Sequence, residues 1–552
     1  MNRWRRVVRV IACVVTLLIG CGLAYGQDSA ARGKRNPIDF PTSASPQAEA
    51  TFLAGVKLLH NFQYDNAIET FRGAIKTQPH FGMAYWGLAM SYNHPLWGEQ
   101  DLQAARGVLA EFDKAPESGL SPREKGFIDA VRLLYGDGDK TARDTAYADA
   151  MGKLYAQYPN DDEVASFYGL ALLGLEADES RSFSLLMKAS DVLEAVYARN
   201  PDHPGVLHYL VHCYDDPKYA ALGLAAADRY EELAGDSAHA LHMPSHIYLD
   251  LGLWGKFVYA NERSWVASKA RIARGKLKPG DYDIHGLHTL QWMQYGYLQQ
   301  GQIAKALDCL KAMEKIHALN PSPMVKWYLG MMLASYAVDA PNWKEANMSL
   351  DLKGIELAAP TSDLFAGGLV AIREGHTDMQ PVIKQIGDLV DSRKHANEGM
   401  AGHHDESFFT SFYATSIAPA HIMQTELQAM QLLAEGSRQD AISHLIDAAA
   451  EEDKLPIGYG PPVPVKPSVE LLGEVYLKLG RPVNAMRAFE VALIRYPNRA
   501  ASLVGLATAA KLAGDRETET RAEEGLRTIR GNAAVNDQGW KAWPCKECSA
   551  PH

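Results

Sequence analysis

From residue 47 to residue 530 apolar side chains return every three or four positions, the period of an α-helix with one buried face, and no stretch alternates as a half-buried strand would. A longer period lies over the short one. Between Ala48 and Phe81 the residues Gly55, Ala67, Phe71, Ala74 and Pro79 mark a unit of about 34 residues, and Tyr85, Leu88, Ala89 and Tyr92 open the next helix. The same register returns from Lys466 onward in Leu472, Gly473, Tyr476, Gly480, Ala485, Phe489, Ala492 and Pro497. Such a unit is two antiparallel helices: small residues let the backbones approach, a large one fills the groove, and proline ends the second helix. Weaker copies run from Gly252 to Ala267 and from Leu290 to Met313, and the helical period continues through Val164 to Tyr197 and Leu427 to Ala449. One unit alone cannot bury its apolar face, so the pattern predicts a stack.

Breaks in the pattern divide the chain. Residues 1–26 carry Arg3, Arg5, Arg6 and Arg9 ahead of an apolar run and a small-residue cleavage site at Ala24-Tyr25-Gly26, as a signal peptide does. Leu18-Ile19-Gly20-Cys21 also reads as a lipobox that would acylate Cys21. Either fate exports the protein, to the periplasm or as an outer-membrane lipoprotein; lipid on Cys21 would be its one tie to a membrane. Residues 27–46 read as a flexible tether and residues 47–452 as a helical-repeat array with a histidine-rich centre at 204–290. The proline-rich stretch 453–467 is a linker that no helix can cross, 468–530 holds the C-terminal repeats, and 531–552 is a tail. Cys545 and Cys548 in that tail suit a local disulfide in an oxidising compartment; a redox pair and half of a metal site are the alternatives.

Histidine is unevenly placed. Of 19, seven fall within residues 208–288, in three groups: His208 and His212; His239, His242 and His246; His285 and His288. Spacings of three and four put both rings of a pair on one helix face, which is how two imidazoles reach one metal ion. Each group falls at or near the first helix of a predicted unit, over Pro204 to Tyr214, Ala238 to Leu251 and His285 to Gln300, so the three would converge on the groove those helices line. Pro244 breaks the middle group at a helix first turn. The seven predict a site for zinc or copper, ions that imidazole suits; a hydrogen-bonded polar layer and acid–base work without metal are the competing readings. Asp215, Glu262 and Asp283 lie close enough in sequence to orient the rings, and Asp216 before Pro217 is placed as a helix cap. His403, His404, Asp405 and Glu406 are a further ligand-rich run. His60, His80, His94, His317, His376, His395, His421 and His444 read as ordinary core or surface residues.

The segments "HNFQYDNAIETFRGAIKTQPHFGMAYWGLAMSYNH", "HALHMPSHIYLDLGLW" and "YGPPVPVKPSVELLGEVYLKLGRPVNAMRAFEVAL" resemble a family of exported bacterial tetratricopeptide repeat proteins. The resemblance implies an all-α, tetratricopeptide-type α-solenoid that binds a partner or ligand, and it brings no reaction with it. A net charge of -11 argues against a nucleic-acid surface, and HExxH, P-loop, GxGxxG and GxSxG motifs are missing. Two expectations follow. The chain is a scaffold holding a protein, peptide or small ligand in its groove, with Tyr85, Trp86, Tyr92 and Trp97 as contacts, or it is a metal-binding enzyme or carrier built on the clustered histidines.

Overall fold

The computed structural model describes residues 37–115, 119–175, 183–275, 282–346, 350–399, 417–455 and 460–530. Residues 1–26 with Cys21, His403 to Glu406 and the tail with Cys545 and Cys548 lie outside the described residues. The compact body begins at Phe40. It is helical almost throughout: α1 (Pro46–His60), α2 (Tyr64–Thr77), α3 (Gly82–Met90), α4 (Leu102–Phe112), α5 (Pro122–Leu134), α6 (Lys140–Gln157), α7 (Asp162–Gly174), α8 (Phe183–Tyr197), α9 (Pro204–Cys213), α10 (Ala220–Leu233), α11 (Ala238–His242) and α12 (Pro244–Asp250). There follow α13 (Trp254–Arg274), α14 (Ile284–Gln299), α15 (Ile303–Leu319), α16 (Pro323–Asp339), α17 (Ala358–Arg373), α18 (Gln380–Gly399), α19 (Ile417–Ala434), α20 (Arg438–Glu452), α21 (Ser468–Lys478), α22 (Pro482–Arg495), α23 (Ala500–Ala513) and α24 (Arg516–Arg530). The strand structure among the described residues is a two-residue ladder pairing Asn93–His94 with Glu99–Gln100. No described helix is long and apolar enough to cross a membrane.

Successive helices pack in antiparallel pairs, and one packing device recurs. A Cβ on Gly55 would stand 2.6 Å from the Phe71 ring and one on Gly87 2.4 Å from it, so Phe71 of α2 is seated between two bare backbones, on α1 and α3. Phe489 of α22 is held in the same way between Gly473 of α21 and Gly505 of α23 (2.8 and 2.3 Å). In the middle, Gly296 of α14 receives Phe257 of α13 (2.6 Å). The aromatic of a second helix thus fills the space that glycine leaves on the first helices before and after it, which is how each unit buries its face on the next. The fold is a tetratricopeptide-type α-solenoid. Tyr85 and Trp86 belong to its core, 6% and 0% exposed, and so do not line a groove.

The C-terminal repeats are tied to the middle of the array through charge. Arg499, fully buried, sends Nη1 and Nη2 to the Asp339 carboxylate at the end of α16 (3.0 and 2.6 Å), Nε to Glu470 of α21 (2.9 Å) and Nη1 to the Tyr295 hydroxyl of α14 (3.0 Å). Burial opposes ionisation of Glu470, but Arg499 and Lys466 outweigh it and hold the carboxyl at about 2. Beside this network the Trp254 Nε1–H donates to the Asn498 carbonyl (2.8 Å), and Gly252 lies so close to the Pro497 carbonyl that a Cβ there would come within 2.2 Å. Taking one member from a buried ion network leaves an uncompensated charge. Arg499→Ala is therefore expected to cost about 3–5 kcal/mol, and hydrogen exchange should show faster opening of α21–α24 than of α1–α3. Unchanged exchange there would refute the tie.

Candidate metal centre

The histidines come together because α9, α11, α12 and α14 lie side by side, α9, α11 and α14 each presenting an i,i+3 or i,i+4 pair of rings and α12 adding His246. Met243 keeps helical backbone angles and Pro244 starts a new helix there, so α11 runs directly into α12 and the two carry His239, His242 and His246. Six of the seven clustered rings fall into two triads, His208–His212–His239 and His242–His246–His288, in each of which one ligating atom per residue lies within 4.8 Å of the others. The triads adjoin, with the rings of His212 and His246 6.5 Å apart. His285 stands outside both, its ring 5.1 Å from that of His239.

In the first triad the Nε2 atoms of His212 and His239 each lie 3.2 Å from Nε2 of His208. In the second, Nε2 of His242 and Nε2 of His246 are 3.1 Å apart. Two nitrogens bound tetrahedrally to one zinc ion at about 2.0–2.1 Å stand about 3.3 Å apart, so these separations match edges of a coordination tetrahedron. The opposite ring nitrogens decide the tautomers. His208 Nδ1–H donates to the His60 carbonyl (2.7 Å) and His246 Nδ1–H to the Asp215 carboxylate (2.8 Å). His242 Nδ1–H donates to Oδ1 of Asn261 (2.8 Å), whose amide is fixed by its own donation to the Phe257 carbonyl. The Tyr328 hydroxyl lies 3.4 Å from Nδ1 of His288. With Nδ1 protonated and anchored, Nε2 of a neutral ring keeps a lone pair, the arrangement that buried partners give to metal-ligating histidines.

A third group, His60, Glu163 and His203, is as compact and fully buried, but its chemistry differs. His203 Nδ1 accepts the Val206 backbone N–H (3.2 Å), so its Nε2 carries the proton and donates to Glu163 (3.1 Å). His60 faces the Tyr209 hydroxyl through Nδ1 and Glu163 through Nε2, both at 2.9 Å. Burial works against the Glu163 carboxylate, yet His60 and His203 hold it at about 2. The group is a hydrogen-bonded clamp that fixes α1 against α7 and α9, the Nε2 protons of both imidazoles being directed at the Glu163 carboxylate. Sequence reading missed it, since nothing in the spacing of His60, Glu163 and His203 relates them.

The acidic residues part company. Asp215 supports His246. Glu262 does not reach the rings: it is partly exposed, accepts from the Tyr297 hydroxyl (2.5 Å) and faces Lys305. Helical geometry turns it away and turns its neighbour Asn261 inward instead, because consecutive residues point about 100° apart. Asp283 is buried beside His285 and takes Arg271 (3.3 Å) without a hydrogen bond to an imidazole. Asp216 caps no helix N-terminus; its carboxylate accepts from the Lys218 N–H (2.8 Å), and α10 begins only at Ala220. The rings themselves do not line an open groove. His208, His239, His242 and His246 are 0–7% exposed, and only His212, His285 and His288 are partly open. Phe62 from the turn after α1 covers the first triad, and Trp292, with Gly460 of the proline-rich stretch against it, packs on the second.

No protein-family model and no curated protein matches the chain. Among solved structures the matches are loose: human IFIT1, as a dimer with m7Gppp-AAAA, at 14% identity over 88% of this chain and 95% of that one with a TM-score of 0.31, and yeast Tom70 at 12% over 85% and 96% with 0.31. The Cut9 and Hcn1 hetero-tetramer of APC/C matches at 13% over 89% and 95% with 0.26.

Burial drives His208 and His288 down to about 3 and puts His239 and His242 well below the ordinary imidazole range. These rings are held neutral when folded and gain protons on unfolding, so the stability they contribute is complete above 6.5 and is lost as pH falls from there toward 3. Metal-free protein should therefore show a melting temperature that drops steadily between about pH 7 and pH 4. A His208→Gln/His288→Gln variant should drop less steeply; equal slopes would contradict the burial of neutral rings.

Proposed function

We propose that this solenoid is the housing of a transition-metal centre in which two three-histidine sites, His208–His212–His239 and His242–His246–His288, bind zinc or copper. The observation that carries the reading is the shared orientation of rings: Nδ1 of His208, His242 and His246 is committed to a protein acceptor, and the Nε2 atoms face one another at tetrahedral-edge spacing. Asp215 adds the carboxylate–imidazole pairing that strengthens a ligand. Three protein ligands per ion leave a fourth position for water or an exogenous ligand, the build of reactive and exchanging zinc sites rather than closed structural ones. Export to the periplasm, soluble or lipid-anchored, is part of this proposal and rests on the N-terminal sequence.

A second reading, a scaffold for a protein or peptide segment, has its own support. Val483, Val491 and Ile494 are 52%, 52% and 75% exposed along one side of α22, an apolar strip on the C-terminal repeats remote in sequence from the histidines.

Elemental analysis of protein purified without an affinity tag tests the first reading. It predicts up to two equivalents of zinc or copper per chain, loss of one in His242→Ala/His246→Ala, and about 10–100-fold weaker binding at that site in Asp215→Asn. Folded protein that stays metal-free after incubation with either ion would refute it.

A further inference from the structure

Among the described residues, seven helix-to-helix turns share one hydrogen-bond pattern. In the first, the N–H of residue 62 returns to the Leu59 carbonyl and the N–H of residue 63 to the Leu58 carbonyl; the same pair of bonds recurs at residues 252, 301, 375, 436, 480 and 514. This closure needs a residue in left-handed backbone, for which glycine is the usual choice. Six of the turns have it: Gly252, Gly301, Gly375, Gly436, Gly480 and Gly514, with φ from +62° to +96°. The first has Phe62 at φ +54°. An aromatic residue is conformationally disfavoured there, and outliers of this kind persist where the surroundings use them.

The Phe62 side chain supplies that use. It is 3% exposed, and its ring centroid lies 4.3, 5.6 and 6.0 Å from those of His208, His239 and His212, every member of the first triad. The residues before it serve the same ring set. The His60 carbonyl takes the His208 Nδ1 proton, and Asn61 Oδ1 takes the hydroxyl of Tyr230, whose ring stacks on His208 at 5.3 Å. A glycine would make the turn equally well but would remove a ring that touches all three imidazoles, where Tyr230 and Trp97 each pack on one, His208 and His239.

Resting on the two-site reading above, we propose that Phe62 is a positioning residue of the first metal site: the turn of the first repeat takes left-handed backbone at an aromatic residue so that this ring fixes His208, His212 and His239 around one ion. The first site is thereby assembled across 148 residues of sequence from a repeat that supplies no metal ligand to it.

The test uses cobalt(II), a coloured probe of imidazole sites, and the full chain with His242→Ala/His246→Ala so that only the first triad binds. Phe62→Gly relieves the backbone and removes the ring; it should bind cobalt about 10–100-fold more weakly and with a shifted visible spectrum. Phe62→Tyr, which keeps the ring, should retain affinity and spectrum. If Phe62 is only a turn residue, Phe62→Gly binds cobalt with unchanged affinity and spectrum, which overturns the proposal. Should the glycine variant not fold, Phe62→Leu replaces it, with the same weakening expected and unchanged binding again overturning. Absence of cobalt binding with Phe62 intact would instead refute the metal reading itself.

Discussion

A buried imidazole must commit one ring nitrogen to the protein before the other can face its neighbours, and the centre of this molecule depends on that commitment. If Nδ1 of His208, His242 or His246 lost its acceptor, the ring would be free to turn over or to change tautomer, and its Nε2 lone pair would be lost from the middle of the triad. The acceptors differ in kind. The His60 carbonyl is main chain, Asn261 is an amide pinned by a further hydrogen bond, and Asp215 is a charge. They also arrive from different places: the end of α1, the second helix of a later repeat, and the turn after α9. The clamp of His60, Glu163 and His203 shows the alternative outcome, in which the inward nitrogens keep their protons and donate them in hydrogen bonds to a carboxylate.

The solenoid is what makes such a gathering possible. Glycines on first helices admit aromatics from second helices, as Gly296 of α14 admits Phe257, and the rings on α9, α11, α12 and α14 meet within this stack. The ends of the array then bear on the middle. The first repeat brings Phe62 and the His60 carbonyl, while the C-terminal repeats are fastened to α14 and α16 by Arg499, Asp339 and Glu470 and place Gly460 against Trp292. Most of the imidazoles are consequently buried, and burial holds His208, His239, His242 and His288 neutral, which suits metal ligation and disfavours acid–base work near neutral pH.

How much of this was legible depended on distance along the chain. The repeat register, the helical class and the grouping of seven histidines follow from periods of 3.6 and about 34 residues, which are local properties. The pairing of rings at i,i+4 is local too, and repeat phase placed the groups on helices that do lie together. Asp215 was within reach because it follows His212 closely. The remaining supports were not: Asn261 meets His242 across 19 residues, Phe62 meets His208 across a gap set only by how the first repeat docks, and His203 and Glu163 find His60 through three different repeats. Glu262 shows the limit most sharply, since one helical step separates it from the residue that does reach the ring. The open groove also did not survive, because closing it takes contacts between repeats that no single repeat encodes.

The central claim is that two ions sit at the Nε2 atoms of two adjoining triads, and anomalous diffraction from crystals grown with zinc or copper addresses it directly. The account predicts two anomalous peaks, one about 2.0–2.1 Å from Nε2 of His208, His212 and His239 and one at the same distance from Nε2 of His242, His246 and His288. Peaks elsewhere on the molecule, or imidazoles hydrogen-bonded to one another with no ion between them at saturating metal, would contradict it.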